Sequence, residues 1–248
     1  LPNHNPFVIA EQFGTLDALF PGRVDLGLGR APGADGRIAQ ALRKDLMAAA
    51  ESFPNDVMEL QARFAGYPPL PFPATPALGA AVQMWILGSS LYGAQLAAHL
   101  GLPYAFASHF APDHLDAARA ASGRIFRPSE ALDKPHAMAA MTVIAADSDG
   151  EAQVLGTSLD QAFVALRTGE PGGLRPPVPG YRESLPPQVV AGLEHMRQAS
   201  AVGSKATVRA AIGRFVERTG ADELIVAGAF WDPEAQRRSL ALTMEAVA

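Results

Sequence analysis

Residues Arg23 to Gly33, RVDLGLGRAPG, constrain the fold more than any other stretch of the chain. Val24, Leu26 and Leu28 alternate with Asp25, Gly27 and Gly29, the pattern of a β-strand with one buried face. Arg30 follows where the alternation stops, and Pro32-Gly33 turns the chain away. In parallel α/β proteins, ligands bind just outside the carboxyl ends of the strands. An arginine there, beside glycines that let main chain approach closely, suits a phosphate.

The flanking segments fit a strand–helix alternation. PNHNP (Pro2–Pro6) is rich in turn residues, and Phe7 to Phe20 reads as an amphipathic helix burying Ile9, Ala10, Phe13, Leu16 and Phe20. Beyond Arg30, the spacing of Ile38, Leu42, Leu46, Ala49, Phe53, Val57, Leu60 and Phe64 predicts a long helical stretch. It is either two helices in line or one helix kinked near Pro54. The proline-rich run Gly66–Gly79 predicts an extended connector.

Further strands are expected at Gln83–Gly88, Tyr104–Ser108, Met141–Ala146 and Glu223–Ala229, besides Val24–Gly29. Ser89–Gly93 forms a turn before a helix over Ala94–Leu100, and Pro112-Asp113 opens another. Gly203-Ser204 opens a helix with Val208, Ile212, Phe215 and Val216 inward, and Asp232-Pro233 caps the last. Residues 167–187 are dense in proline and glycine and read as a mobile loop or active-site lid, with a plain crossing loop as the alternative.

The chain has 248 residues, enough for one domain over 1–248 with a sizeable core, and 48% of them are hydrophobic. A net charge of −5 argues against a nucleic-acid or anionic-membrane surface. The absence of cysteine rules out disulfides, cysteine catalysis and zinc–cysteine sites, and fits an intracellular, cytoplasmic location. No apolar run is long enough to span a bilayer and no signal peptide is visible. Leu1 reads as the last residue of a strand, so the chain is expected to lack its natural beginning.

The whole run LPNHNPFVIAEQFGTLDALFPGRVDLGLGRAPG resembles the luciferase-like monooxygenases, flavin-dependent TIM-barrel enzymes related to bacterial luciferase. The resemblance implies an α/β fold, a (β/α)8 barrel of the bacterial luciferase type. The five strands would then be about strands four to eight, with the end of strand three at Leu1-Pro2. It implies a monooxygenase, an oxidoreductase that uses FMN reduced by a separate flavin reductase, and O2, to oxidise an aldehyde, ketone or similar small molecule. Relatives are often homodimers. In relatives the groups that help most with proton transfer lie on the first two strands.

The resemblance also assigns residues. Arg30 and Ser90 fall on phosphate ligands, and Glu11 falls on a conspicuous helix glutamate. Gly93 stands where a hydroxyl residue is found in luciferase, so backbone N–H groups from Leu91 through Tyr92 to Gly93 would replace one contact. Gly88, Ser89 and Ser90 form a strand-to-helix turn, a ready anion site in its own right. The competing readings are a surface Arg30 paired with Asp35, a serine that merely caps the helix, and an exposed Glu11.

His109, just past an apolar strand, is the candidate catalytic residue, either bonding substrate or a flavin or simply packing. His4 and Asn5 either face the flavin ring or cap the next helix, and Trp85 reads as core. His99, His114, His136 and His195 share no metal-ligand spacing, so no metal is expected. No nucleophile elbow, P-loop or GxGxxG pattern is present. Two alternatives remain. One is a deazaflavin-dependent hydride-transfer enzyme, disfavoured because only Arg30, Arg37 and Arg43 stand near to hold a longer cofactor tail. The other is a non-catalytic flavin-binding relative.

Overall fold

A computed structural model describes residues 1–31, 41, 45–67, 69–170 and 172–248. The expectations placed on Pro32, Gly33, Asp35, Arg37, Ile38, Leu42 and Arg43 lie outside these residues. The chain forms two compact units, Leu1–Ala105 with Ala117–His136, and Phe106–Asp116 with Ala137–Ala248.

The first unit opens with Leu1 set beside Gly29 and followed by a turn. His4 N–H bonds the Leu1 carbonyl at 2.8 Å, and the Leu1 amine donates to the Gly29 carbonyl at 3.0 Å. Helix α1 (Pro6–Leu19) is capped by Asn5, whose Oδ1 accepts the Phe7 N–H at 2.8 Å. Its buried face differs from the expected one: Ile9 and Ala10 are buried, but Leu16 and Phe20 are exposed, and Gly14 and Asp17 are buried instead. A Cβ on Gly14 would collide with the main chain of Pro76–Ala77. The Asp17 carboxylate accepts the Ala81 N–H at 2.9 Å and the Gly22 N–H at 3.2 Å, so it ties the helix to two turns. Backbone satisfaction there outweighs apolar periodicity.

Strand β1 (Asp25–Gly29) pairs in parallel with β2 (Gln83–Gly88), with Asp25 opposite Gln83 and Gly29 opposite Leu87. Leu26, Leu28, Met84 and Ile86 are buried on one face. Gly27 faces the other way, where its Cβ would lie 2.8 Å from the Leu87 side chain. A side chain at position 27 would have to displace the Leu87 side chain on the partner strand. Helix α2 (Leu46–Ala65) carries Pro54 inside it and buries Phe53, Val57, Leu60 and Phe64, as their spacing predicts. Within Gly66–Gly79, Thr75–Ala77 forms a 3-10 turn. Helix α3 runs over Leu91–Leu100, so it starts earlier than expected and takes Tyr92 and Gly93 into its first turn. Strand β3 (Tyr104–Phe106) lies beside β2 and is shorter than expected. A 3-10 turn over Pro112–His114 leads into α4 (Leu115–Ile125).

The second unit is built on β4 (Ala137–Ala146), which starts earlier than expected and is buried along most of its length. Helix α5 (Asp149–Arg167) follows, then α6 (Pro187–Met196). A strand the sequence pattern does not announce, β5 (Ser200–Ser204), pairs in parallel with β4 from Thr142 to Ala146. It is serine-rich and buries only Ala201 and Gly203, so no apolar run marks it. Helix α7 (Lys205–Thr219) buries Val208, Ile212 and Phe215. Strand β6 (Glu223–Ala227) pairs with the amino-terminal half of β4, and α8 (Pro233–Val247) is capped by Asp232. Among the described residues no helix is long and apolar enough to cross a membrane.

Candidate active site

The β1–β2 register sets the first feature of the site. Because Gly29 stands opposite Leu87, Arg30 leaves the end of β1 beside the point where β2 runs into Gly88-Ser89-Ser90. The Arg30 guanidinium carbon lies 4.1 Å from the centroid of the Tyr92 ring, in the first turn of α3. A cation over an aromatic face is held without being neutralised. No carboxylate among the described residues pairs with Arg30, and its side chain is exposed.

Ser90 occupies the N-cap position of α3 in an extended conformation, but its hydroxyl makes no capping bond. The reading of Ser90 as a helix cap is thus half met: the position is right and the bond is missing. A helix whose first N–H groups lack a side-chain acceptor presents a partly positive end. Gly88, Ser89, Ser90, Tyr92, Gly93 and Arg30 therefore gather as hydroxyls, main-chain donors and one cation around a single turn.

The glycines of this turn have a neighbour that sequence reasoning took for a strand residue only. Tyr104 is buried, and its hydroxyl donates to the Ser90 carbonyl at 3.0 Å. A Cβ on Gly88 would stand 3.0 Å from the Tyr104 hydroxyl, and one on Gly93 would stand 3.0 Å from its ring. Burial pushes the phenol well above its ordinary pKa, so it stays neutral and remains a donor. The sequence signal was a pair of small residues bracketing a turn, with a large aromatic on the next strand.

Glu11 makes no described contact with these residues. It sits on the exposed side of α1, along a shallow groove with Gln12, Phe13, Thr15 and Leu16, and makes no ion pair among the described residues. His4 is exposed, and Asn5 is the α1 cap. Trp85 is core: it packs edge-on against His136 with ring centroids 5.6 Å apart, and its Nε1 is buried without a partner among the described residues.

His109 belongs to the second unit. It follows Ser108, whose hydroxyl donates to the Ala140 carbonyl at 2.5 Å and so anchors the end of this segment. The Nδ1 atom of His109 is buried and has no hydrogen-bond partner among the described residues. Desolvation pushes the imidazole below its ordinary pKa of 6.5, so it is neutral at physiological pH. Of the other histidines, His195 pairs with Asp113 at 2.9 Å and His99 stands 3.4 Å from Arg127, both on the surface.

A parallel α/β unit with a cation and an open helix N-terminus at its strand ends has the groups that suit an anion, an arrangement found among α/β enzyme folds. The comparisons with known proteins narrow that class. A family model described as luciferase-like monooxygenase matches residues 1–223. A protein of Escherichia coli K12 named luciferase-like monooxygenase is 48% identical over 246 residues, which cover 99% of this chain and 73% of that protein. The crystal structure of apo-MsnO8 superposes with a TM-score of 0.83 at 28% identity, over 99% of this chain and 75% of that one. The oxygenating constituent of 3,6-diketocamphane monooxygenase from Pseudomonas putida, solved in complex with FMN, has the same fold. Its TM-score is 0.66 at 20% identity, over 100% of this chain and 76% of that one. The chain belongs to the luciferase-like monooxygenase family, and its parallel α/β architecture is that of the family's TIM-barrel oxidoreductases.

Proposed function

We propose that this protein is an FMN-dependent monooxygenase that takes reduced FMN from a separate reductase and uses O2 to oxidise a small aldehyde- or ketone-like molecule. The observation that carries the reading is the Arg30 guanidinium, stacked on Tyr92 and unpaired by any described carboxylate, beside the uncapped first turn of α3. These groups fit a phosphate: one fixed positive charge, the Ser89 and Ser90 hydroxyls, and the N–H groups of Leu91, Tyr92 and Gly93. Reduced FMN, when bound, supplies the electrons that activate oxygen.

In this reading the chain's own residues bind and orient. Arg30 neutralises the phosphate, Tyr92 holds Arg30 in place, and Gly88 and Gly93 leave the turn open to close approach. His109 is the proposed catalytic residue. Its imidazole is neutral, and its buried, unpartnered Nδ1 suits it to exchange a hydrogen bond or a proton with substrate.

The test is an anaerobic titration with reduced FMN, run in parallel with reduced deazaflavin. Selective FMN binding, weakened in Arg30→Ala by about 1.5–3 kcal/mol for a lost charge-assisted hydrogen bond, supports the proposal. Unchanged FMN affinity in a folded Arg30→Ala variant removes Arg30 from the site. Selective deazaflavin binding replaces oxygenation with hydride transfer.

A further inference from the structure

The turn that receives the phosphate in the proposed function has an anchor on the neighbouring strand. Tyr104 comes from the neighbouring strand β3, with its hydroxyl 3.0 Å from the Ser90 carbonyl. Its ring and hydroxyl occupy the space that side chains at Gly88 and Gly93 would otherwise take. A peptide group is planar, with its C=O and N–H pointing in opposite directions. Fixing the Ser90 carbonyl towards Tyr104 therefore fixes the Leu91 N–H away from Tyr104. Leu91 is the first residue of α3, so this N–H is one of the helix donors without an internal acceptor. The same bond sets the backbone of Ser90, whose hydroxyl is free of a capping role.

Resting on that phosphate reading, we infer that Tyr104 is a positioning residue: by holding the Ser90 carbonyl and filling the slot between Gly88 and Gly93, it aims the Leu91 N–H and the Ser90 hydroxyl at the phosphate. It touches the turn and not the ligand. The two glycines and the tyrosine then form one unit. The tyrosine needs both glycines for room, and the turn needs the tyrosine for direction.

The experiment compares FMN with riboflavin, which lacks the phosphate, in anaerobic titrations of the wild type and Tyr104→Phe. The phenylalanine keeps the ring and removes only the hydroxyl. FMN binding is expected to weaken about three- to ten-fold, the size of one lost neutral hydrogen bond, while riboflavin binding stays constant. A general packing role would weaken both ligands alike, so an unchanged ratio overturns the inference. A second readout needs no flavin. Inorganic phosphate is expected to shift the amide resonances of Leu91, Tyr92 and Gly93 in the wild type, and to shift them less in Tyr104→Phe. Equal shifts in both proteins overturn the inference. FMN binding that depends on Arg30 but not on the Tyr104 hydroxyl overturns it alone, whereas a wild type that binds neither FMN nor phosphate overturns the parent reading with it.

Discussion

Replacing Asp160 with asparagine is expected to unfasten the second unit while leaving its shape intact. Asp160 lies on α5 and is wholly buried. Its Oδ2 accepts from Arg182 Nε at 3.0 Å and from Arg197 Nη2 at 2.8 Å, and its Oδ1 accepts from Arg197 Nε at 3.1 Å. One carboxylate thus holds two guanidinium groups, from the 3-10 turn at Arg182–Ser184 and the turn after α6. Asparagine keeps the volume but loses the charge and one acceptor, and leaves Arg197 largely buried beside a neutral group. Breaking a buried pair from one side costs about 3–5 kcal/mol. The Arg182 side chain is 24% exposed and can turn to water, which places the expected loss near the lower end, about 3 kcal/mol. That is a large part of an ordinary domain's stability. The chain has two tryptophans, Trp85 in the first unit and Trp231 in the second. Equilibrium urea unfolding in a Trp85→Phe background therefore reads the second unit by itself. The segment 172–186 is also tied to α5 by Val178 N–H to Thr157 and by Gln161 to the Pro176 carbonyl, both at 2.8 Å. Asp160→Asn should make that segment more open to limited proteolysis. A stability loss below about 1 kcal/mol, with proteolysis unchanged, would refute the view that Asp160 fastens this unit.

Two helix glycines separate close packing from helix propensity. Gly14→Ala should destabilise by about 1–3 kcal/mol or more, because its methyl meets main chain that cannot step aside. Gly150→Ala in α5 has open space around it and should stabilise by roughly 0.4–1 kcal/mol. Thermal denaturation of the pair checks both, and shifts of the same sign would contradict the packing argument. His109 should make stability depend on pH. Its folded pKa lies below 6.5, so the unfolded chain takes up the proton first as pH falls through that value. The contribution of the neutral imidazole is complete above 6.5 and is lost as pH falls from there towards the depressed folded value. His109→Gln should therefore lose less stability than the wild type between pH 7.5 and pH 5.5 in urea titrations. A parallel decline in the two proteins would place His109 in water.

Elements were legible where side-chain periodicity and packing agreed. Gln83–Gly88 reads as a buried strand and is one, and Phe53, Val57, Leu60 and Phe64 line one face of a helix despite Pro54. The misreadings share a cause. Asp17 displaces Leu16 on the inner face of α1 because two turn N–H groups need an acceptor. Strand β5 is invisible because ladder bonds to β4, not apolar side chains, make it a strand. Satisfaction of the backbone is a tertiary fact and leaves little trace in local hydrophobic pattern.

The glycines make the same point about the site. Read along the chain, Gly27 and Gly29 beside Arg30 suggested a place where a ligand meets bare backbone. In the structure Gly27 stands against Leu87 across the ladder, and Gly88 and Gly93 stand against Tyr104. A glycine leaves room for a neighbour, and here the neighbour is a side chain distant in the sequence. The cation is different, because a guanidinium at a strand end that is stacked on an aromatic ring, with no described carboxylate beside it, keeps its charge available. Arg30 is therefore the phosphate contact of the proposed function, and the glycines point to Tyr104, the residue inferred to align the turn beside it.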